Sequence, residues 1–196
     1  SERELWEAGN ALRGTLPIDQ VAHLMATLAT LRVLSEDGND GAWESLVAEG
    51  RHTTQHLAAA AARIPQDQQD LVDFSWLQEQ QAPLTAAVMA VAGIPRAKLA
   101  SAVDLMLDRT MSSQLYRSAE HGAVSSDATR LLTELAVEHL PRGGVLHDPA
   151  CGIGGVIVEA LLRARSVAGT AYQIAQEMAN RARQRAVIAG VSKRLD

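Results

Sequence analysis

Apolar positions recur at helical spacing through most of the first 110 residues. Ile18, Val21, Leu24, Met25, Leu28 and Leu31 make one broad face that runs on to Leu34, and Pro17 brings the fixed φ suited to a helix start. A long helix over 18–34 is expected. Ahead of it, Leu5, Trp6, Ala8 and Leu12 predict an amphipathic helix over 2–12 that Gly14 can end. "SEDGNDG" (35–41) reads as a loop, and "AWESLVAEG" and "TTQHLAAAAARI" read as two short helices separated near Gly50. Residues 66–80, rich in Gln and Asp, show no clear period. "PLTAAVMAVAG" predicts a helix that closes at Gly93. "RAKLASAVDLMLDRTM" predicts another, with Leu99, Val103, Leu105 and Leu107 on its apolar side.

The pattern changes after about residue 115. Ser125, Ser126 and Asp127 offer N-caps for "ATRLLTELAVEHL", whose Leu131, Leu132, Leu135 and Ala136 form the expected core-facing stripe. Pro141, Gly143 and Gly144 end that helix. "VLHD" is a short apolar run that stops at an acid, passes through glycines and enters the helical pattern "VIVEALLRA", as a buried strand feeding a helix does. "GTAYQI" reads as a second strand and "AQEMANRARQRAVIAG" as a second helix. Strand, helix, strand, helix is how a parallel, doubly wound sheet begins. The expected fold class is therefore α/β with a mostly helical N-terminal region: a helical domain over 1–115, then the first βα units of a Rossmann-like sheet over 116–196.

Composition agrees with this division. Hydrophobic residues make up 47% of the 196 positions and aromatic ones only 3%, a balance that favours packed helices over a β-sandwich. The single cysteine, Cys151, excludes an internal disulfide framework and a Cys-based metal cluster. No apolar run reaches the roughly 18 residues of a membrane span, and "SERELWEAGN" is too charged for a secretory signal. A cytoplasmic, reducing setting without a membrane partner is expected. The net charge of −5 argues against a strongly basic nucleic-acid binder. Residues 161–196 nevertheless carry seven basic side chains, Arg181, Arg183 and Arg185 among them, against Glu177 and Asp196. That basic end suits either a solvated helix face or an edge facing phosphates.

Candidate chemistry gathers at "HDPACGIGG", residues 147–155. A Walker loop needs Gly-Lys-Ser/Thr, and Val156 follows Gly154 and Gly155, so that loop is excluded. A dinucleotide fingerprint begun at Gly152 and Gly154 lacks its third glycine, because Ile157 stands there. An acid at a strand end followed by Gly-x-Gly-Gly opening a helix suits S-adenosylmethionine. Glycines admit a ligand close to the backbone, the helix start at Gly155 presents N–H groups, and Asp148 can meet a cationic amino-acid end directly or through water. The acid expected about 20 residues on, for a ribose, is replaced by Gln173, with Glu177 one turn later as the substitute. A tight turn serving packing alone is the alternative. Cys151 fits a small turn residue better than a nucleophile. Trp6, Trp43 and Trp76 fit core anchors, and His52, His56 and His121, with no metal-ligand partners, fit solvated or locally bonded roles.

"DPACGIGG" resembles the S-adenosylmethionine motif Asp-Pro-Ala-Cys-Gly-x-Gly-Gly of the adenine-N6 DNA methyltransferases, above all the methylation subunits of type I restriction-modification systems. "LWEAGNALRGTLPIDQVAHLMATLATLRVLSE" (5–36) is similar to the helical N-terminal region of those subunits, and "AYQIAQEMANRARQRAVIAGV" resembles the segment after their second strand. The resemblance implies S-adenosylmethionine as cofactor, held by Asp148, Pro149, Ala150, Cys151, Gly152, Gly154 and Gly155 with Gln173 or Glu177. It implies double-stranded DNA as substrate, and a specificity subunit and a restriction subunit as partners. The family's Thr-Pro, which helps hold the methionine end of the cofactor, is represented here by Ser125 and Ser126.

One departure bears on catalysis. The family's Asn/Asp-Pro-Pro-Tyr/Phe motif is absent: Asn10, Asn39 and Asn180 are the asparagines, and none precedes a proline. The exocyclic amine of adenine is a poor nucleophile inside a base that must be flipped out of the duplex, and in the family this motif accepts its hydrogens. No residue of this chain takes that catalytic role. The reading is therefore the helical domain and first βα units of such an enzyme, inactive by itself, with a non-catalytic DNA- or subunit-binding module carrying a vestigial loop as the alternative.

Overall fold

The computed structural model describes residues 15–77, 84–111 and 126–196, with 108–111 and 126 described by backbone alone. The expected helix over 2–12, with Trp6 and Asn10, lies outside these residues, as do His121 and Ser125. The chain divides into two compact units, 1–110 and 111–196.

The first unit is helical: α1 (Ile18–Gly38), α2 (Ala42–Ala48), α3 (Thr54–Ala61), a 3-10 turn (Gln66–Val72), α4 (Leu84–Ala92) and α5 (Arg96–Met111). Helix α1 is its spine. Leu24, Met25, Leu28 and Leu31 are fully buried, and so are Thr27 and Thr30 on other sides of the same helix, as expected of a helix packed all round. Their hydroxyls donate one turn back, to His23 O at 2.9 Å and Ala26 O at 2.8 Å, so burying them leaves no stranded donor.

The segment read as a loop from Ser35 is helical as far as Gly38. Its polar residues secure the helix end. Arg32 Nε donates to Glu36 Oε1 at 2.7 Å, and Ser35 Oγ donates to Asp40 Oδ1 at 2.6 Å while accepting the Trp43 N–H at 2.9 Å. Asn39, at φ 51°, then turns the chain out through the left-handed region. Arg32 also caps α4 from outside, donating to Val91 O at 2.7 Å and Ile94 O at 2.6 Å. On α5 the buried set is Leu99, Ala102, Val103, Met106 and Leu107. Leu105, expected on that face, is half-buried and Met106 takes its place.

Trp43 is buried on α2. Trp76 is half-buried, packs against His23 with ring centroids 4.8 Å apart and donates its Nε1–H to Asp73 O at 3.1 Å. His52 is buried with Nε2 2.8 Å from Leu46 O, and His56 closes a capping box with Thr53 at the start of α3.

The second unit runs α6 (Ser126–Glu138), β1 (Val145–Asp148), α7 (Gly155–Arg163), β2 (Ala168–Ala171), α8 (Gln176–Ile188) and a 3-10 turn (Ser192–Arg194). β1 and β2 pair in parallel, Val145 with Ala168 through Asp148 with Ala171, and Leu195 bridges Gly169 beyond them. Where a doubly wound sheet was expected, the described residues hold this two-stranded parallel ladder. Its inner face is Leu146, Gly169 and Ala171, packed against a core of Ile157, Val158, Leu161, Val167, Ala186 and Val191. Gly169 lets α7 settle on β2: a Cβ there would lie 3.0 Å from Ile157 Cδ1. Val145 and His147 point the other way and are exposed, as strand alternation requires.

Helix α6 corrects the sequence reading. Leu131, Leu132 and Leu135, the expected core stripe, are 61%, 47% and 50% exposed. The side turned inward carries threonines: Thr129 lies against Gly155, and Thr133, one turn on, is fully buried. A threonine stripe allows α6 to approach the glycine that opens α7 more closely than leucines would.

Candidate functional site

The residues after β1 fold into a loop tied to the end of β2. Asp148 O accepts the Tyr172 N–H at 2.9 Å and the Cys151 N–H donates to Tyr172 O at 3.0 Å, which carries the ladder one step past both strands. Asp148 Oδ1 accepts the Ala150 N–H at 3.2 Å, so the carboxylate shapes the turn that begins at Pro149. Gly152 and Gly154 have φ of 57° and 77°, where a side chain is strained. The Gly154 N–H closes the turn on Cys151 O at 2.8 Å.

Gly154 is the N-cap of α7 and no side chain caps that helix. Its first-turn N–H groups have no carbonyl within the helix to pair with, and they border the loop. The two left-handed glycines differ in surroundings. A Cβ on Gly154 would meet Ala182 Cβ at 3.0 Å and Ala182 Cα at 3.2 Å, so this glycine lets α8 close against the loop. Among the described residues a Cβ on Gly152 would find only Met178 Cε, at 3.8 Å, so the backbone is less crowded here than at Gly154. Gly155 faces Thr129 and Arg185, with Arg185 Nη1 3.5 Å from its Cβ position.

The polar candidates fall into place around this loop. Gln173 follows β2 and uses both ends of its amide locally: Oε1 accepts the Ala175 N–H at 3.4 Å, and Nε2 reaches Met178 Sδ at 3.8 Å. Glu177 stands in the first turn of α8 and accepts from Arg181 Nη2 at 2.5 Å. Ser126 opens α6 at the backbone level, and Ser125 lies outside the described residues. The structure thus brings Asp148, Pro149, Ala150, Cys151, Gly152, Gly154 and Gly155 together with Gln173 at adjoining strand ends, and places Glu177 on the helix that packs against them.

Two arginines of α8 are more buried than expected. Arg181 and Arg185 are 7% and 9% exposed, whereas Arg183 is exposed, so only the last fits a solvated or phosphate-facing arm. The signal for this was the i,i+4 spacing of Arg181 and Arg185 with Ala182 and Ala186, which puts them on the inner side of the helix. The Cys151 thiol is pushed above its ordinary range, first by burial and then by the Asp148 carboxylate. A protonated thiol is a weak nucleophile, which matches its reading as a turn residue.

No protein-family model matches the sequence, and no curated protein matches it. In fold, the chain is similar to a methyltransferase subunit of a restriction-modification system. The solved structure is that of the type I restriction-modification system methyltransferase subunit from Streptococcus thermophilus, superposable with a TM-score of 0.68 over 99% of this chain at 13% identity. This chain spans 56% of the length of that subunit. At that identity the likeness is one of fold, and it takes in both the helical unit and the unit that carries the glycine loop. No helix of the described residues is long and apolar enough to cross a membrane.

Proposed function

We propose that this chain is part of an S-adenosylmethionine-dependent DNA methyltransferase acting on adenine N6, of the kind that serves as the methylation subunit of a type I restriction-modification system, and that its second unit holds the cofactor. The observation that carries this reading is the loop from Asp148 to Gly155: a strand-end carboxylate, an open left-handed glycine at Gly152 and an uncapped helix start, within a fold similar to a methyltransferase subunit. S-adenosylmethionine would supply an electrophilic methyl group on a sulfonium. Asp148 would face its ammonium end with the oxygen not spent on Ala150. Gly152 would let the backbone approach, and the α7 N–H groups would offer donors to its carboxylate. The residues to activate the adenine amine are absent from this sequence, so the share of the reaction assigned to this chain is cofactor binding. Double-stranded DNA, a specificity subunit and a restriction subunit are the partners this function entails.

A second reading, a DNA- or subunit-binding module with a vestigial loop, is favoured by Gln173, whose amide is taken up in shaping the turn into α8. Calorimetric titration with S-adenosylmethionine separates the two. Asp148→Asn is the control, because it keeps the acceptor for Ala150 and removes the charge. Saturable binding weakened at least tenfold by Asp148→Asn supports the cofactor site, and no binding by the unaltered chain supports the vestigial loop.

A further inference from the structure

We propose that Arg181 is a positioning residue that holds Glu177 as the carboxylate for the vicinal hydroxyls of a ribose, an inference that rests on the reading of Asp148 to Gly155 as a site for an adenosine-type ligand. A nucleoside bound at such a loop is ordinarily gripped by an acid at the end of the second strand. Here that position is Gln173, whose amide oxygen and nitrogen are both engaged within the turn. Glu177 is the next carboxylate along the chain. Its neighbour Met178 contacts Gln173 and is the side chain nearest the open side of Gly152, so the turn that carries Glu177 flanks the loop.

An exposed glutamate is a poor grip by itself, because fixing its rotamers costs conformational entropy. The Glu177 side chain is 70% exposed, yet Arg181 Nη2 donates to its Oε1 at 2.5 Å from a side chain only 8% exposed. The guanidinium is buried, and the carboxylate is moored to it. The pair Arg163 and Glu159 on α7 has the same spacing, but both partners are exposed to a similar degree, 36% and 37%, as is common for surface pairs with little net effect. An ionised carboxylate has about four acceptor sites. One satisfied by Arg181 leaves the second oxygen to accept from ribose hydroxyls.

The test is calorimetric titration of the unaltered chain and of Glu177→Gln, Arg181→Met and Arg181→Lys with S-adenosylmethionine and with its 2′-deoxyribose analogue. The unaltered chain should prefer the ribose form by about tenfold, as expected for a hydrogen bond to a charged acceptor. Glu177→Gln and Arg181→Met should erase that preference by weakening the ribose form alone, and Arg181→Lys should restore part of it. Equal losses for both ligands in Arg181→Met would assign Arg181 a purely structural role, and a preference undiminished in Glu177→Gln would remove Glu177 from the site. Either result overturns the inference and leaves the cofactor site standing. No binding of either ligand by the unaltered chain overturns both. If Arg181→Met fails to fold, by circular dichroism, the exposed Glu177→Gln and the charge-conserving Arg181→Lys decide.

Discussion

Gly154 and Ala182 meet where the loop packs against α8: a Cβ on the glycine would lie 3.0 Å from the alanine's own Cβ, and φ at Gly154 is 77°. The loop and the helix that carries Glu177 are therefore fixed to each other through a position that only glycine fills without strain. Gly154→Ala should cost roughly 2–4 kcal/mol, combining left-handed backbone strain with overpacking. Gly143 supplies the comparison, since its φ is 74° but nothing among the described residues lies within 4 Å of its Cβ position. Gly143→Ala should cost only about 1–2 kcal/mol. Chemical denaturation of the two variants measures the difference, and equal losses would show that the contact with Ala182 is slack.

Cys151 should be slow to alkylate. Burial, reinforced by the Asp148 carboxylate, raises its pKa, so at neutral pH less thiolate is present than on a free cysteine. Iodoacetamide should modify it several-fold more slowly than a free thiol at pH 8, the rate should rise with pH beyond the range where a free thiol levels off, and Asp148→Asn should speed it. A rate equal to that of free cysteine would contradict the packing assigned to this turn.

Arg32 is the corresponding anchor in the helical unit. It joins Glu36 on its own helix to the carbonyls of Val91 and Ile94 at the end of α4, from a side chain 10% exposed. Arg32→Met should lower stability by roughly 2–4 kcal/mol, because it removes a charged donor from the buried Val91 and Ile94 carbonyls and takes from Glu36 one of its two arginine partners. Arg96→Gln, which removes the more exposed contacts to Glu36 and Asp37, should cost less than about 1 kcal/mol. Urea denaturation followed at helical wavelengths reads both.

Glu134 on α6 lies within reach of Arg163 and Arg130, and these hold its carboxyl below the ordinary range, Arg163 most strongly. A depressed pKa means that the contribution is present above the unfolded-state value and is lost as pH falls through the folded one. Arg163→Gln should move the Glu134 midpoint upward in a carboxyl-detected NMR titration, and should reduce the separation between its folded and unfolded values. An unchanged midpoint would show that the contact of Arg163 with Glu134 is not populated in solution.

The elements of this fold are read from sequence most easily where periodicity and punctuation agree. α5 and β1 coincide with their predicted ranges, and α7 differs by a single residue at either end, because glycines, prolines and apolar spacing mark the same boundaries. The reading failed where polar residues do structural work. Ser35 and Glu36 resemble a loop by composition, but their hydrogen bonds extend a helix. On α6 the leucines resemble a core stripe, yet the close approach of Gly155 selects Thr129 and Thr133 for the inner side, which periodicity alone does not reveal. The loop from Asp148 to Gly155 was legible because a left-handed turn between strand and helix restricts residue choice so strongly. The burial of Arg181 and Arg185 was marked only by their spacing with Ala182 and Ala186, a signal that is easily outweighed because arginine is rarely placed inside unless a partner is known.

The most direct measurement is an amide NMR titration of the chain with S-adenosylmethionine. Binding at the proposed site predicts saturable shifts concentrated at Cys151 to Val156 and at Gln173 to Met178, with the helices of the first unit left unmoved. Shifts confined to the first unit, or none at all at millimolar ligand, would contradict the assignment of Asp148 to Gly155 as a cofactor loop.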